Sequence, residues 1–492
     1  MAAVSEERLA SLEAEVGALH SRLEQAIEQI ASLKQTLHAE CSVVCAACNL
    51  GFDIGVSSDV GHEVRDVLNL SDLQTEVFMG SINVFAVGGA LIASCLSDRI
   101  GRRRAFAVAA LVFELGVGLM AFASGYPSLM LGRAIVGLGV GFGLAVDPVY
   151  IAEISPPEER GRLVTWSEVA TNVGILIGFM TGFMFGGLER EIAWRFMLGM
   201  GGVLPIVMLL LVWLVMPESP RWLVQKGRLE EARQVLQLVG EADTTAAIGR
   251  MQNALHEEAM ASRSVGWRTI VCPSPALRRM LLVGVGVAVS QQLTGIDGIQ
   301  YFLIFILEES GLKERSERFG WLVSLGAVKV ACILVAGYTF DKRGRKPMLY
   351  ISCSGMTIAL GMLSLNFFIA HGEKGRSVPA LAISALALFL ASFSFGMGPG
   401  AWLIPSEVFS QKVRARAMSV ATFSNRLGAA VVSMTFLSLA NALTYAGVCM
   451  AFALSNIGII CFVYFLVPET KGRRLEDMLA YFCQSEFASV HK

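Results

Sequence analysis

SDRIGRRR at 97–104 and FDKRGRKP at 340–347 are one phrase written twice. AEISPPEERGR (152–162) is echoed by SEVFSQKVRAR (406–416), and PESPR (217–221) by PETKG (468–472). The members of all three pairs stand near 250 residues apart. One such pair could arise by chance; three in register describe a chain built as two homologous halves.

What fills the space between the motifs is apolar. The chain has 492 residues, is 54% hydrophobic and 16% charged, and has a mean hydropathy of +0.58. One soluble core could not hide that much apolar surface, whereas lipid accepts apolar helical runs of about 20 residues. Such runs fall at 40–60, 77–97, 105–123, 128–151, 163–186 and 193–216, then at 279–307, 319–340, 347–370, 378–402, 415–440 and 443–467. The first is the weakest, being interrupted by Asn49 and Asp53. The expected fold is an all-α membrane protein of twelve transmembrane helices in two pseudo-symmetric six-helix bundles, 39–216 and 279–470. A polar linker with short helices (217–278) joins them and a tail follows (471–492). Two six-helix halves with matching loop motifs are the sequence form of a rocking transporter.

Charge position gives the orientation. Forty basic and forty-one acidic residues nearly cancel, so no global field points to nucleic acid. Basic clusters follow the second, fourth, eighth and tenth runs, while the opposite loops hold few, chiefly Lys313, Arg315 and Arg318. The positive-inside rule then puts both termini and the linker in the cytosol. The ten cysteines are scattered, mostly within apolar runs, and read as small packing residues. Cys41, Cys45 and Cys48 cluster without a second ligand group at metal spacing. The glycines at 137, 139, 141 and 143 allow close helix approach and are not followed by a phosphate-loop GK[ST]. No nucleophile–base pair or metal constellation stands in any loop, so neither enzyme, cofactor nor metal is expected.

Ahead of the first run, Leu9, Val16, Leu23, Ile30 and Leu37 alternate with Leu12, Leu19, Ala26 and Leu33. That 3–4 spacing makes 1–38 either a coiled-coil helix that pairs two copies of the chain or a lone amphipathic helix.

SDRIGRRR, GRAIVGLGVG (132–141), PESPRWL (217–223), QQLTGID (291–297), DKRGRKP, PSEVF (405–409) and PETKG together resemble the signature segments of the sugar porter family of the major facilitator superfamily, over about 40–475. GFDIG (51–55), SEVATN (167–172), TGID (294–297) and SNRLG (424–428) are most similar to plant polyol and monosaccharide proton symporters. The resemblance implies carriage of a sugar or polyol with protons, through a lipid bilayer, the plasma membrane before an organelle membrane.

It also implies roles. Asp53 and Arg133 stand at the motif positions of the family's proton-coupling pair. The physics agrees: a carboxylate beside a guanidinium stays ionised, and one that loses this contact in a buried place takes up a proton. Gln291, Gln292, Asp297, Tyr301, Trp402 and Asn425 stand where the family lines its solute site; amides supply donors and acceptors and an indole an apolar face. Alternatively, any one of them serves as polar glue between helices. Three departures from hexose carriers matter: Asp297 replaces asparagine, Ile175 replaces glutamine, and Lys329 replaces a neutral residue. Asp297 and Lys329 suggest mutual neutralisation, either tuning the pocket toward polyols or holding helices together, and they meet only if the seventh run breaks near Gly295. Asp98, Arg99, Arg102, Glu153, Arg160, Glu218 and Arg221 in one half, with Asp341, Arg345, Glu407, Arg414 and Glu469 in the other, match the family's cytosolic gating network. Glu114, Asp147 and Glu168 have no assigned role. Two further readings stay open: a facilitator without coupling, and a transporter-like nutrient sensor.

Overall fold

The computed structural model describes residues 44–154, 160–238, 241, 243–264, 267–370, 378–409, 413–471 and 481–482. The heptads of 9–37 and nearly all of the tail lie outside the described residues.

Helix α1 covers 44–68. Helices α2 (Asp72–Ile100), α3 (Arg102–Ala121), α4 (Tyr126–Ile154), α5 (Arg160–Phe185) and α6 (Arg190–Gly199) follow. The last continues through a tight turn into α7 (Val203–Leu214), completing the first half. Four short helices form the linker: α8 (Pro220–Gln225), α9 (Leu229–Leu238), α10 (Thr244–Ser264) and α11 (Trp267–Val271). They carry their own apolar cluster, with Trp222, Leu223, Leu236 and Ile248 buried in it. The second half contains α12 (Pro275–Leu293), α13 (Ile296–Tyr301), α14 (Leu303–Glu309), α15 (Arg315–Arg343), α16 (Arg345–Ala370), α17 (Pro379–Phe395), α18 (Met397–Val408) and α19 (Arg414–Leu466). The expected start at 279 moves back to Pro275. Ser274 caps the helix by accepting from the Leu277 N–H, and a proline suits the first helical position.

Ten helices among the described residues are long and apolar enough to cross a membrane. The difference from twelve has two sources. Helix α1 carries Asp53, Asp59, Glu63, Arg65 and Asp66 and is not among the ten. Helix α19 has 53 residues and is interrupted at Thr444, whose φ of 66° and ψ of 160° are not helical. At 1.5 Å per residue it would extend about 80 Å, well over twice the hydrocarbon thickness.

Two other interruptions position side chains. Gly295, at φ 84°, separates α12 from α13, a left-handed conformation that glycine tolerates. The tenth run breaks at Gly396, between α17 and α18. Pro399 falls in the first turn of α18, where its missing N–H costs nothing. Between the halves, α2 packs on α19 and α5 on α15. Apolar side chains such as Leu91, Phe122, Trp213, Leu214, Phe368 and Phe465 point outward, as a lipid solvent requires.

Candidate functional site

The repeated motifs fold into two copies of one device. Gly101 has φ 97° and Gly344 φ 93°, and each opens the next helix over a glutamate. Glu218 accepts from the backbone N–H groups of Arg102 (2.7 Å) and Arg103 (3.2 Å). Glu469 accepts from those of Arg345 and Lys346 (both 3.0 Å). A carboxylate here satisfies orphan helical donors and faces the positive end of the helix dipole. Burial opposes the Glu469 charge, but the N–H groups of Lys471, Arg345 and Lys346 outweigh it and hold its carboxyl below the usual carboxylate range. The arginine after each glycine then forks onto an acid of its own half. Arg102 donates to both oxygens of Glu153 (2.8 Å each) and to Asp98 (2.9 Å). Arg345 donates to Glu407 at 2.7 Å. All of these bonds stay within one half. Arg414 donates to the Phe409 carbonyl at 3.4 Å. Arg99 and Arg221 flank the first device, while the side chains of Arg160 and Asp341 lie outside the described residues.

Gly101→Ala is therefore expected to destabilise the protein. Its Cβ would lie 2.3 Å from Glu218 Oε2, and a side chain at this backbone conformation costs about 1–3 kcal/mol on its own. Thermal unfolding in detergent should show a lowered midpoint, against an unchanged one for Gly143→Ala, where an added Cβ meets nothing within 4 Å.

Midway through the first half, Arg133 is fully buried and Asp53 is 3% exposed. Arg133 lies two turns inside α4, which starts at Tyr126. Its Nη1 donates to Asp53 Oδ1 at 2.8 Å, its Nη2 to Ser57 Oγ at 2.9 Å and its Nε to the Phe78 carbonyl at 3.1 Å. The guanidinium also lies over the Phe78 ring, 4.9 Å from its centroid. Asp53 Oδ2 is buried with no hydrogen-bond partner, so half of the carboxylate depends on nothing but its neighbours' field.

In the second half, the break at Gly295 sets the end of α12 against α18 and α19. Asn425 Nδ2 donates to Gln291 Oε1 and to the Ala288 carbonyl, both at 2.7 Å. Gln291 Nε2 donates to the Gly398 carbonyl at 3.2 Å, and Gln292 Nε2 to Asn425 Oδ1 at 3.3 Å. Gln292 Oε1 is buried without a partner. Arg426 completes this cluster: its Nη2 donates to Asn425 Oδ1 (2.7 Å), its Nη1 crosses to Asn83 of the first half (3.3 Å), and it lies 5.9 Å from the Trp402 ring. Tyr301 is buried at the end of α13.

Asp297 and Lys329 do not form the expected ion pair. The Lys329 ammonium donates instead to Gln300 Oε1, one turn beyond Asp297, and lies 5.6 Å from the Phe393 ring. The break at Gly295 is there, but α13 presents an amide rather than the acid to lysine. Lys329 and Arg426 both act electrostatically on Asp297 and on Glu168. Lys329 is buried, whereas Glu168, Asp297, Arg426 and Trp402 are half-buried.

Sequence reasoning missed Arg426, Asn83, Gln300 and a set of cross-half pairs on the face opposite the motifs. There Arg315 donates to Glu63 (2.8 Å) and His62 meets Glu308 (2.6 Å) across the halves, while Arg318 pairs with Glu308 (2.7 Å) within the second. Ser438 donates to Glu76 through its N–H (2.7 Å) and Oγ (2.6 Å), and Asn441 to Asp72 (2.8 Å). Their signal was present: charged residues at 59–66 and at Glu76 sit at the ends of apolar runs, where ending the first run at 60 hid them.

The sequence matches the family described as "Sugar (and other) transporter" over residues 17–482. "Probable polyol transporter 4" of Arabidopsis thaliana is 40% identical over 433 residues, covering 87% of this chain and 81% of the relative. "Glucose transporter GlcP" of Staphylococcus epidermidis is 32% identical over 431 residues, covering 87% and 93%. Among solved structures, the proton:xylose symporter XylE bound to 6-bromo-6-deoxy-D-glucose superposes with a TM-score of 0.75 at 24% identity, covering 92% of this chain and all of that one.

Proposed function

This chain belongs to the sugar porter family of the major facilitator superfamily, and from that premise we propose that it moves a polyol or monosaccharide together with a proton by alternating access. It is a multi-pass membrane protein of a transporter family. Counting α1 and the two parts of α19 as separate crossings gives the twelve of the proposed topology. The basic motif face is read as cytosolic with both termini, the membrane as the plasma membrane, and the heptads of 9–37 as a means of pairing two copies.

The observation that carries the reading is the Asp53–Arg133 pair. It is fully buried, lies in the half opposite the amide cluster, and leaves one carboxylate oxygen unpartnered. Parting the pair in another conformation would leave a buried carboxylate that takes up a proton. The amides of Gln291, Gln292 and Asn425 now satisfy one another. Solute hydroxyls can replace those bonds and give Gln292 Oε1 a donor. Asp297, Tyr301, Trp402 and Lys329 would shape the remainder of the site. On this reading the cross-half pairs around Glu63 and Glu308 close the outside. The two motif devices, Asp98 to Arg221 and Asp341 to Glu469, gate the cytosol. Exposed pairs contribute about 0–1 kcal/mol each, which suits a switch between near-equal states.

Polyols are favoured over hexoses because the relatives named polyol transporters reach 35–40% identity, against 32% for the glucose carrier. Uptake of a panel of hexoses, pentoses, and linear and cyclic polyols tests the solute class: saturable polyol uptake supports it, and a strict hexose preference would overturn it. Lys329→Met is expected to shift the ratio of polyol to hexose uptake. An equal loss for all solutes would make the Lys329–Gln300 contact structural.

A further inference from the structure

Helices α1 and α5 meet through glycines spaced by four. A Cβ on Gly51 or Gly55 would fall 1.9 Å from the Thr171 carbonyl oxygen or 2.3 Å from that of Ile175. From the other side, Gly174 and Gly178 would strike the Cys48 carbonyl oxygen at 2.2 Å and the Val56 nitrogen at 2.6 Å. Such small-residue spacing lets membrane helices touch backbone to backbone. One step further along, α5 again has a glycine, Gly182, but α1 has Asp59. A Cβ at Gly182 would lie 1.8 Å from Asp59 Oδ2. An acid has been set into a glycine seam, over the one residue that leaves room for it.

Among the described residues, nothing compensates a charge there. Asp59 is 0% exposed and neither carboxyl oxygen has a hydrogen-bond partner. On its own helix, Glu63 one turn away acts on it with like charge, and Cys45, Cys48, Asp53, His62, Arg65 and Asp66 are the other titratable groups. Helix α5 has no titratable side chain between Val169 and Phe185. The cations of neighbouring elements are engaged elsewhere: Arg315 and Arg318 of α15 with Glu63 and Glu308, and Arg190 of α6 with Asp66. An ionised carboxylate without partners in such a place costs several kcal/mol, more than neutralising it does. In this conformation Asp59 is therefore the neutral acid.

The seam ends where the other half covers it. A Cβ on Gly186, the next step on α5, would lie 2.6 Å from the Phe319 ring of α15, and Phe319 is 1% exposed. Withdrawal of α15 would remove both Phe319 and the Arg315 partner of Glu63, and would let water reach Asp59. We propose that Asp59 is a second proton-binding site, filled when this face closes. A proton from water on that side adds to one carboxylate oxygen as α15 seats, and the O–H bond breaks to return it when α15 leaves. Glu308 cannot supply this linkage, because the hydrogen bond from His62, against some burial and aided by the His62 and Arg318 charges, pulls its carboxyl down to about 2. The opening step rests on the alternating-access reading; the neutral acid of the closed form does not.

Two measurements on the full chain in detergent test this. Infrared spectra at neutral pH are expected to show a protonated-carboxyl carbonyl band that is lost in Asp59→Asn and kept in Asp53→Asn. The same bands in wild type and Asp59→Asn would overturn the proposal whatever the protein transports. Asp59→Gly, which continues the glycine spacing, serves if Asp59→Asn does not fold. Spin labels at the exposed positions Ser124 and Lys313, one on each half of this face, then follow closure with pH. One proton taken up changes the closed-to-open ratio by about tenfold per pH unit. That dependence should vanish in Asp59→Asn and persist in His62→Gln; its persistence in Asp59→Asn would overturn the link to closure.

Discussion

Asp53→Asn is expected to abolish uphill solute accumulation while leaving exchange of internal for external solute in place. The carboxamide keeps the shape of the side chain and an acceptor for Arg133 Nη1, and Arg133 retains Ser57 Oγ and the Phe78 carbonyl. The helices should therefore still pack. What is lost is the charge that opposes a fully buried guanidinium and the only group in the pair that can take up a proton. Removing one partner of a buried pair costs about 3–5 kcal/mol when nothing replaces it, and the retained hydrogen bonds should keep the cost below that. Counterflow in proteoliposomes measures exchange; accumulation under an imposed pH gradient measures coupling. Accumulation that survives the substitution would remove Asp53 from the proton path.

Gln291→Ala should weaken transport of every accepted solute by about 10–100-fold in kcat/KM, from the 1–3 kcal/mol that an unsatisfied buried polar group costs. Gln291 is the centre of the amide cluster, accepting from Asn425 and donating to the Gly398 carbonyl. Its loss strands partners on both α18 and α19. Because the two side chains bond directly, the effects of Gln291→Ala and Asn425→Ala should be strongly non-additive. A double mutant with the product of the two single losses would mean that the amides act independently. Thermal unfolding of the same variants separates lost binding from lost packing.

Most of the spans could be read from the sequence, because each is a local apolar run. So could the convergence of Gln291, Gln292 and Asn425, through the family motifs that contain them. What escaped was choice of partner. Lys329 was matched with Asp297, and only the turn of α13 after Gly295 decides that Gln300 accepts its hydrogen bond. Arg426 stands inside SNRLG (424–428), yet its bonds to Asn425 and Asn83 come from the crossing of α19 with α12 and α2. Helix α1 runs to residue 68, past the apolar limit near 60. Its acids there are held by Arg190 and Arg315, residues more than a hundred positions away. Hydropathy cannot see a charge that a distant helix will cover.

Accumulation of a polyol by purified protein in proteoliposomes, with the outside made acidic, tests the coupled reading most directly. Accumulation above the external concentration is expected, by up to about tenfold per pH unit at one proton per solute, with collapse to simple equilibration when a protonophore is added. Equilibration alone, at a rate and extent indifferent to the gradient and the protonophore, would contradict proton coupling.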